Sequence, residues 1–131
     1  MIVVDTSVLI DHLRRDSRAR SLLGGAFRSR RRVAASVLTK VEVLAGVRLG
    51  EETATHRLLS LLDWVQVDEF LPDRAGDLAH RFLRSHPGVD VVDFVIAATV
   101  ERLNADLWTR NGRHFPMFPE LRDPYTIGHH D

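Results

Sequence analysis

The chain contains no cysteine. That excludes a disulfide framework, a thiolate metal site and a cysteine nucleophile, and it accords with a reducing compartment. Lysine occurs once, as Lys40, which leaves a receiver-type phosphotransfer domain without the lysine it needs near its last strands. No apolar run approaches the roughly 18–20 residues of a membrane-spanning helix. Net charge is absent too: 18 basic residues balance 18 acidic ones, which argues against a general nucleic-acid coat. The opening Met-Ile-Val-Val-Asp lacks a basic leader region, so the expectation is a cytoplasmic chain with no membrane partner. At 131 residues the expectation is a single domain over 1–131 with a modest core.

Charge is unevenly distributed although it sums to zero. Seventeen of the 18 basic residues are arginine, and eight of those lie between Arg14 and Arg32, opposed only by Asp16. The stretch from Asp63 to Asp93 leans acidic. A GC-rich genome accounts for arginine replacing lysine but not for the clustering. A basic lobe facing an acidic site would suit an enzyme that grips a phosphate backbone, and Arg28, Arg30, Arg31 and Arg32 are its candidate contacts for a nucleic-acid backbone or a protein partner.

Ile2-Val3-Val4 reads as a buried strand ending at Asp5. Thr6 and Ser7 are expected to cap a helix over 8–13, and a second helix over 17–23 should stop at Gly24-Gly25. Val33 to Ala35 is the next strand, followed by a helix over 37–49 closed by Gly50 and another over 52–62. A strand over 64–67 and a helix begun by Pro72 and reaching Ser85 come next. Asp90 caps a helix over 91–104, with Asp93 at the third position of a capping box. A strand over 106–109 and a short one near Tyr125-Thr126 complete the pattern. Strands alternating with helices imply an α/β, three-layer fold: a central parallel sheet of about four to five strands, flanked by helices.

Three acids stand where structure alone does not call for them. Asp5 ends a strand that should be central, facing the crevice where open parallel sheets bind ligands; its simpler role is to cap the next helix. Glu42 shares a helical stripe with Leu38, Ala45, Gly46 and Leu49, a stripe expected to face the sheet. Asp93 heads the core-facing stripe of Ile96, Ala97 and Val100, where helix-dipole stabilisation is its ordinary reading. Clustered carboxylates repel unless a cation or protons lie between them. Oxygen ligands without cysteine favour a hard ion, Mg²⁺ or Mn²⁺, which can bind a phosphate and acidify water, so that water is the nucleophile. The residues thus point to metal-dependent hydrolysis of a phosphodiester or related ester.

Four segments in order resemble the PIN-domain ribonucleases: Ile2–Ile10, Ala35–Gly46, Val91–Thr99, and Leu107–Asn111 continuing to Phe115. The length and the Asp-Thr-Ser opening look most like the VapC toxins of bacterial and archaeal toxin–antitoxin pairs. The resemblance implies a parallel sheet with its first strand central, a Mg²⁺ or Mn²⁺ site, and endoribonuclease activity. It further implies homodimers and a small VapB-like antitoxin that occludes the site. Asp5, Glu42 and Asp93 are then the catalytic and metal-binding acids. Many members carry a fourth acid where this chain has Asn111, which leaves one or two metal ions open; Asp90 offers a nearby charge. Ser7 and Thr109 are candidates to orient acids or waters. A DNA-acting relative and a non-catalytic module whose acids pair with arginines stay open. A haloacid-dehalogenase-type domain fits poorly, because its second Asp would fall at Ser7.

Overall fold

A computed structural model of the chain describes residues 1–125. The strands are β1 (Ile2–Val4), β2 (Val33–Ser36), β3 (Asp63–Val65) and β4 (Asp106–Trp108). All pairs are parallel, in the order β3-β2-β1-β4. The helices are α1 (Thr6–Leu13), α2 (Ser17–Arg28), α3 (Val37–Ala45), α4 (Glu52–Leu59), α5 (Leu71–Phe82) and α6 (Val91–Leu103). The expected three-layer fold, with β1 interior to the sheet, is what forms.

Alternation along the strands makes the layers. Val3, Ala34 and Leu107 point to one face and pack with Leu71, Leu78, Phe94 and Ile96 of α5 and α6. Ile2, Val4, Val33 and Ala35 point to the other and pack with Val8, Leu9, Leu23, Val43 and Leu58 of α1 to α4. With both faces covered, the interior strands carry no polar alternation. This is why short apolar runs, rather than amphipathic ones, marked them in the sequence.

Several element ends depart from expectation. α2 passes through Gly24 and Gly25 to Arg28. Ala19, Leu23 and Ala26 make a continuous buried stripe on it, and burying that stripe offsets the roughly 1 kcal/mol each mid-helix glycine costs. A Cβ at Gly25 would meet nothing within 4 Å. Gly25→Ala is therefore expected to stabilise the fold by about 0.5–1 kcal/mol, read as a rise in thermal midpoint; a fall would show that this position needs its glycine.

α3 stops at Ala45 with Gly46 as its cap, short of the expected Leu49, because only Thr39 and Val43 are buried on it and no stripe remains to extend it. α4 ends at Leu59 and β3 at Val65, each before the expected boundary. Asn104 adopts a left-handed conformation (φ 49°) and closes α6. The last expected strand does not form at Tyr125, and Thr126 lies outside the described residues.

Candidate active site

Chain order reverses between β1 and β4, the position where open parallel sheets gather ligands at their carboxyl ends. Both strands end on the site. Asp5 follows Val4 and donates its backbone N–H to the Trp108 carbonyl at 3.1 Å, which brings Thr109 alongside.

Asp5 is the N-cap of α1, a role the sequence had suggested for Thr6 and Ser7. Its Oδ1 accepts from the Ser7 backbone N–H at 2.9 Å and from Ser7 Oγ at 2.6 Å. Its Oδ2 accepts from Thr109 Oγ1 at 2.5 Å. The same two hydroxyls take N–H groups from the following loop, Arg110 N onto Ser7 Oγ at 3.0 Å and Asn111 N onto Thr109 Oγ1 at 2.9 Å. Ser7 and Thr109 thus tie the β4 loop to the acid. Asp5 is only 5% exposed. Burial pushes its carboxyl above the ordinary range, and the hydrogen bonds from Ser7 and Thr109 oppose that without cancelling it.

Asp93 lies in the first turn of α6, where the capping box with Asp90 forms as expected. Its Oδ2 accepts from the Asp90 backbone N–H at 3.2 Å and faces His114 Nδ1 at 3.3 Å. Burial raises its pKa first; the Asp90 N–H and His114 act against that, and the Asp5 charge reinforces it. The two acids therefore sense one another. The core-facing stripe behind Asp93 is as read, with Ile96, Ala97 and Val100 buried.

Glu42 reaches the site by another route than the one expected. The buried positions of α3 are Thr39 and Val43, while Glu42, Ala45, Gly46 and Leu49 are exposed. A helix of this length packs one narrow edge against the sheet, so of the proposed stripe Leu38 is partly buried against the core while the rest faces outward. Glu42 meets the other acids because Thr6, beside Asp5, donates to its Oε1 at 2.5 Å. About 240 Å³ of cleft lies among Asp5, Glu42 and Asp93, with Asp90, Asn111 and His114 also lining it.

His114 was not singled out from the sequence. It ends a 3₁₀ turn, Gly112–His114, and the signal was its neighbour: Phe115 is 1% exposed and anchors the turn in the core. A larger hollow of about 400 Å³, containing Arg15, Arg20 and Arg57 above Leu13 and Leu58, holds one acid, Glu51. Arg14 binds that acid at 2.9 Å, so the free carboxylates belong to the smaller cleft.

The arginine cluster does not face these acids. Arg28 ends α2, and the Arg32 carbonyl accepts from the Ile2 N–H at 2.9 Å, which fixes the Arg28–Arg32 segment at the amino end of the sheet. Asp5 stands at the carboxyl end. Arg31 pairs with Asp106 at 3.4 Å and Arg32 with Asp63 at 3.0 Å; in a parallel sheet, residues leading into β2 lie at the opposite end from those leaving β1. Arg30→Ala/Arg31→Ala is expected to leave cleavage of a short RNA, and the salt dependence of its binding, unchanged. A flattened log affinity against log salt would return the cluster to the substrate path.

The donors fit a hard cation. Asp5 is buried with hydroxyl and N–H partners but, among the described residues, no basic one, an arrangement costly for a charge without a counterion. The three acids offer oxygen alone. Among the described residues no three His, Asp or Glu side chains stand close enough to enclose an ion unaided, so closure requires Glu42, the exposed member, to turn inward. Asn111 borders the cleft as a neutral amide. Asn111→Asp is expected to tighten Mn²⁺ binding or raise its stoichiometry in calorimetry; identical isotherms would mark the position as remote from the ion.

A family model described as PIN domain matches residues 2–120. The chain is 44% identical over 125 residues to Ribonuclease VapC19 of Mycobacterium tuberculosis, covering 95% of this chain and 100% of that protein. It is 38% identical over 130 residues to Ribonuclease VapC10 of the same organism, covering 99% and 97%. Among solved structures, a toxin–antitoxin complex from Klebsiella pneumoniae contains a chain of the same fold. Its TM-score is 0.79 at 24% identity, with 97% of this chain and 100% of that chain covered.

Proposed function

This chain belongs to the PIN-domain family, and from that premise we propose that it is a metal-dependent endoribonuclease, the toxin of a type II toxin–antitoxin pair. The observation that carries the proposal is the buried Asp5, without a basic partner among the described residues, sharing one cleft with Asp93 and Glu42. RNA as substrate is supported by relatives named as ribonucleases at 44% and 38% identity.

Asp5 and Asp93 are the residues to hold Mg²⁺ or Mn²⁺, with Glu42 completing the set. Such an ion, when bound, supplies Lewis acidity toward the phosphodiester and makes water easier to ionise. The side chains do the rest. Ser7 and Thr109 fix the Asp5 carboxylate so that neither oxygen must reorganise during reaction. Asp93 is fixed by the first turn of α6. Glu42 is exposed and, among the described residues, accepts a side-chain hydrogen bond from Thr6 alone, which leaves its carboxylate free to turn toward the ion. The Asn111 amide can orient a phosphate oxygen or a water without adding charge.

The partners in this reading are an RNA, a small VapB-like antitoxin that covers the cleft, and a second copy of the chain. Val41 and Leu44, three residues apart on α3 and 64% and 38% exposed, offer apolar surface beside Glu42 for protein contact. The reading is of a cytoplasmic toxin acting as a single domain over 1–131; no helix among the described residues is long and apolar enough to cross a membrane. The test is to offer RNA and DNA of one sequence with Mn²⁺, and again with a chelator. Mn²⁺-dependent cutting of RNA alone is expected. Cutting of DNA alone would make this a DNA-acting relative, and no cutting of either would make it a binding module.

A further inference from the structure

Of the described groups bordering the cleft, His114 supplies an imidazole nitrogen that the three acids leave unused. Its Nδ1 stands 3.3 Å from Asp93 Oδ2, with side-chain exposures of 32% and 16%. Its place is set by backbone: the His114 N–H donates to the Asn111 carbonyl at 2.8 Å, and Phe115, next in the chain, is buried. Two ligands side by side on one octahedral ion are separated by about 1.4 times the metal–ligand distance. For a magnesium-like ion that is about 3.0 Å. The observed pair, 3.3 Å apart, needs only a small inward shift to reach that separation. Asn111, on the same loop, brings no charge, and Asp5 already accepts hydrogen bonds on both oxygens.

We propose that His114 is a direct metal ligand of this cleft, paired with Asp93, and that its nitrogen biases the site toward Mn²⁺ over Mg²⁺. Imidazole suits transition ions, whereas a set of carboxylate and water alone suits magnesium. With two side chains as an adjacent pair, the remaining positions fall to Asp5, Glu42, water and substrate oxygens. The inference rests on the metal-dependent reading above, and its test separates the two.

Mn²⁺ alone is bound to wild type and to His114→Gln, which keeps a polar partner for Asp93 without an imidazole. Binding is followed by calorimetry at pH 7.5, and pulsed electron paramagnetic resonance reads nitrogen coupling to the ion. Wild type is expected to show imidazole ¹⁴N coupling that His114→Gln loses. The variant is expected to lose about tenfold in Mn²⁺ affinity, with a smaller loss for Mg²⁺. Tight Mn²⁺ binding without nitrogen coupling in wild type, coupling that survives in the variant, or equal losses for both ions would overturn the role of His114 and leave the acidic centre standing. No Mn²⁺ binding to wild type would overturn both.

Discussion

Asp5→Asn, Glu42→Gln and Asp93→Asn are each expected to lower Mn²⁺-dependent RNA cleavage by roughly 10³-fold, equivalent to about 4 kcal/mol of barrier, in proteins that remain folded. Each change removes a charge and keeps the shape. Asparagine at position 5 retains an oxygen for the Ser7 N–H, so the α1 cap persists, and asparagine at 93 can still accept from the Asp90 N–H. Glu42→Gln is the most discriminating of the three. The residue is exposed and, among the described residues, its side chain hydrogen-bonds with Thr6 alone, so a large loss there cannot be blamed on the core. Initial rates with circular dichroism on the same samples check the set, and a variant with wild-type rates would remove its residue from the centre.

Mn²⁺ is expected to stabilise the wild-type fold by about 2.7 kcal/mol at a free concentration one hundred times its dissociation constant. That corresponds to a rise in thermal midpoint of several degrees for a chain this size. The same addition should leave Asp5→Asn nearly unmoved. Without metal the order reverses: Asp5→Asn should be at least as stable as wild type, because burial disfavours the carboxylate and Asp93 adds repulsion. The crossing of the two melting curves with Mn²⁺ is the signature of a carboxylate kept for a cation. A wild type more stable than the variant without metal, and unmoved by metal, would make Asp5 a helix cap and nothing more.

What the sequence revealed, and what it hid, follows from the range over which each signal acts. β1 and its terminal Asp5, and the capping box from Asp90 to Asp93, are local: a short apolar run and a three-residue spacing specify them wherever the rest of the chain goes. Helix ends depend on distant packing. Gly24-Gly25 reads as a stop until Ala26 is seen to be buried, and α3 reads as longer than it is until Leu49 is found exposed. Glu42 was found for an incorrect reason; its meeting with Asp5 runs through Thr6, 36 residues away in sequence. His114 carried no local mark, because what places it is the burial of Phe115. The arginines between Arg28 and Arg32 are conspicuous in sequence, but strand direction decides which end of the sheet they occupy, and that is fixed only when β2 pairs with β1.

The central claim is that Asp5 and Asp93 act as parts of one centre, and the cleavage rate of the double variant Asp5→Asn/Asp93→Asn at saturating Mn²⁺ tests it most directly. Groups that work as a unit are lost as a unit. The account predicts that the double variant cleaves RNA about as slowly as the slower single variant, within roughly tenfold. Losses that multiply, with the double variant slower by the product of the two single effects, would show two independent contributions and contradict a shared centre.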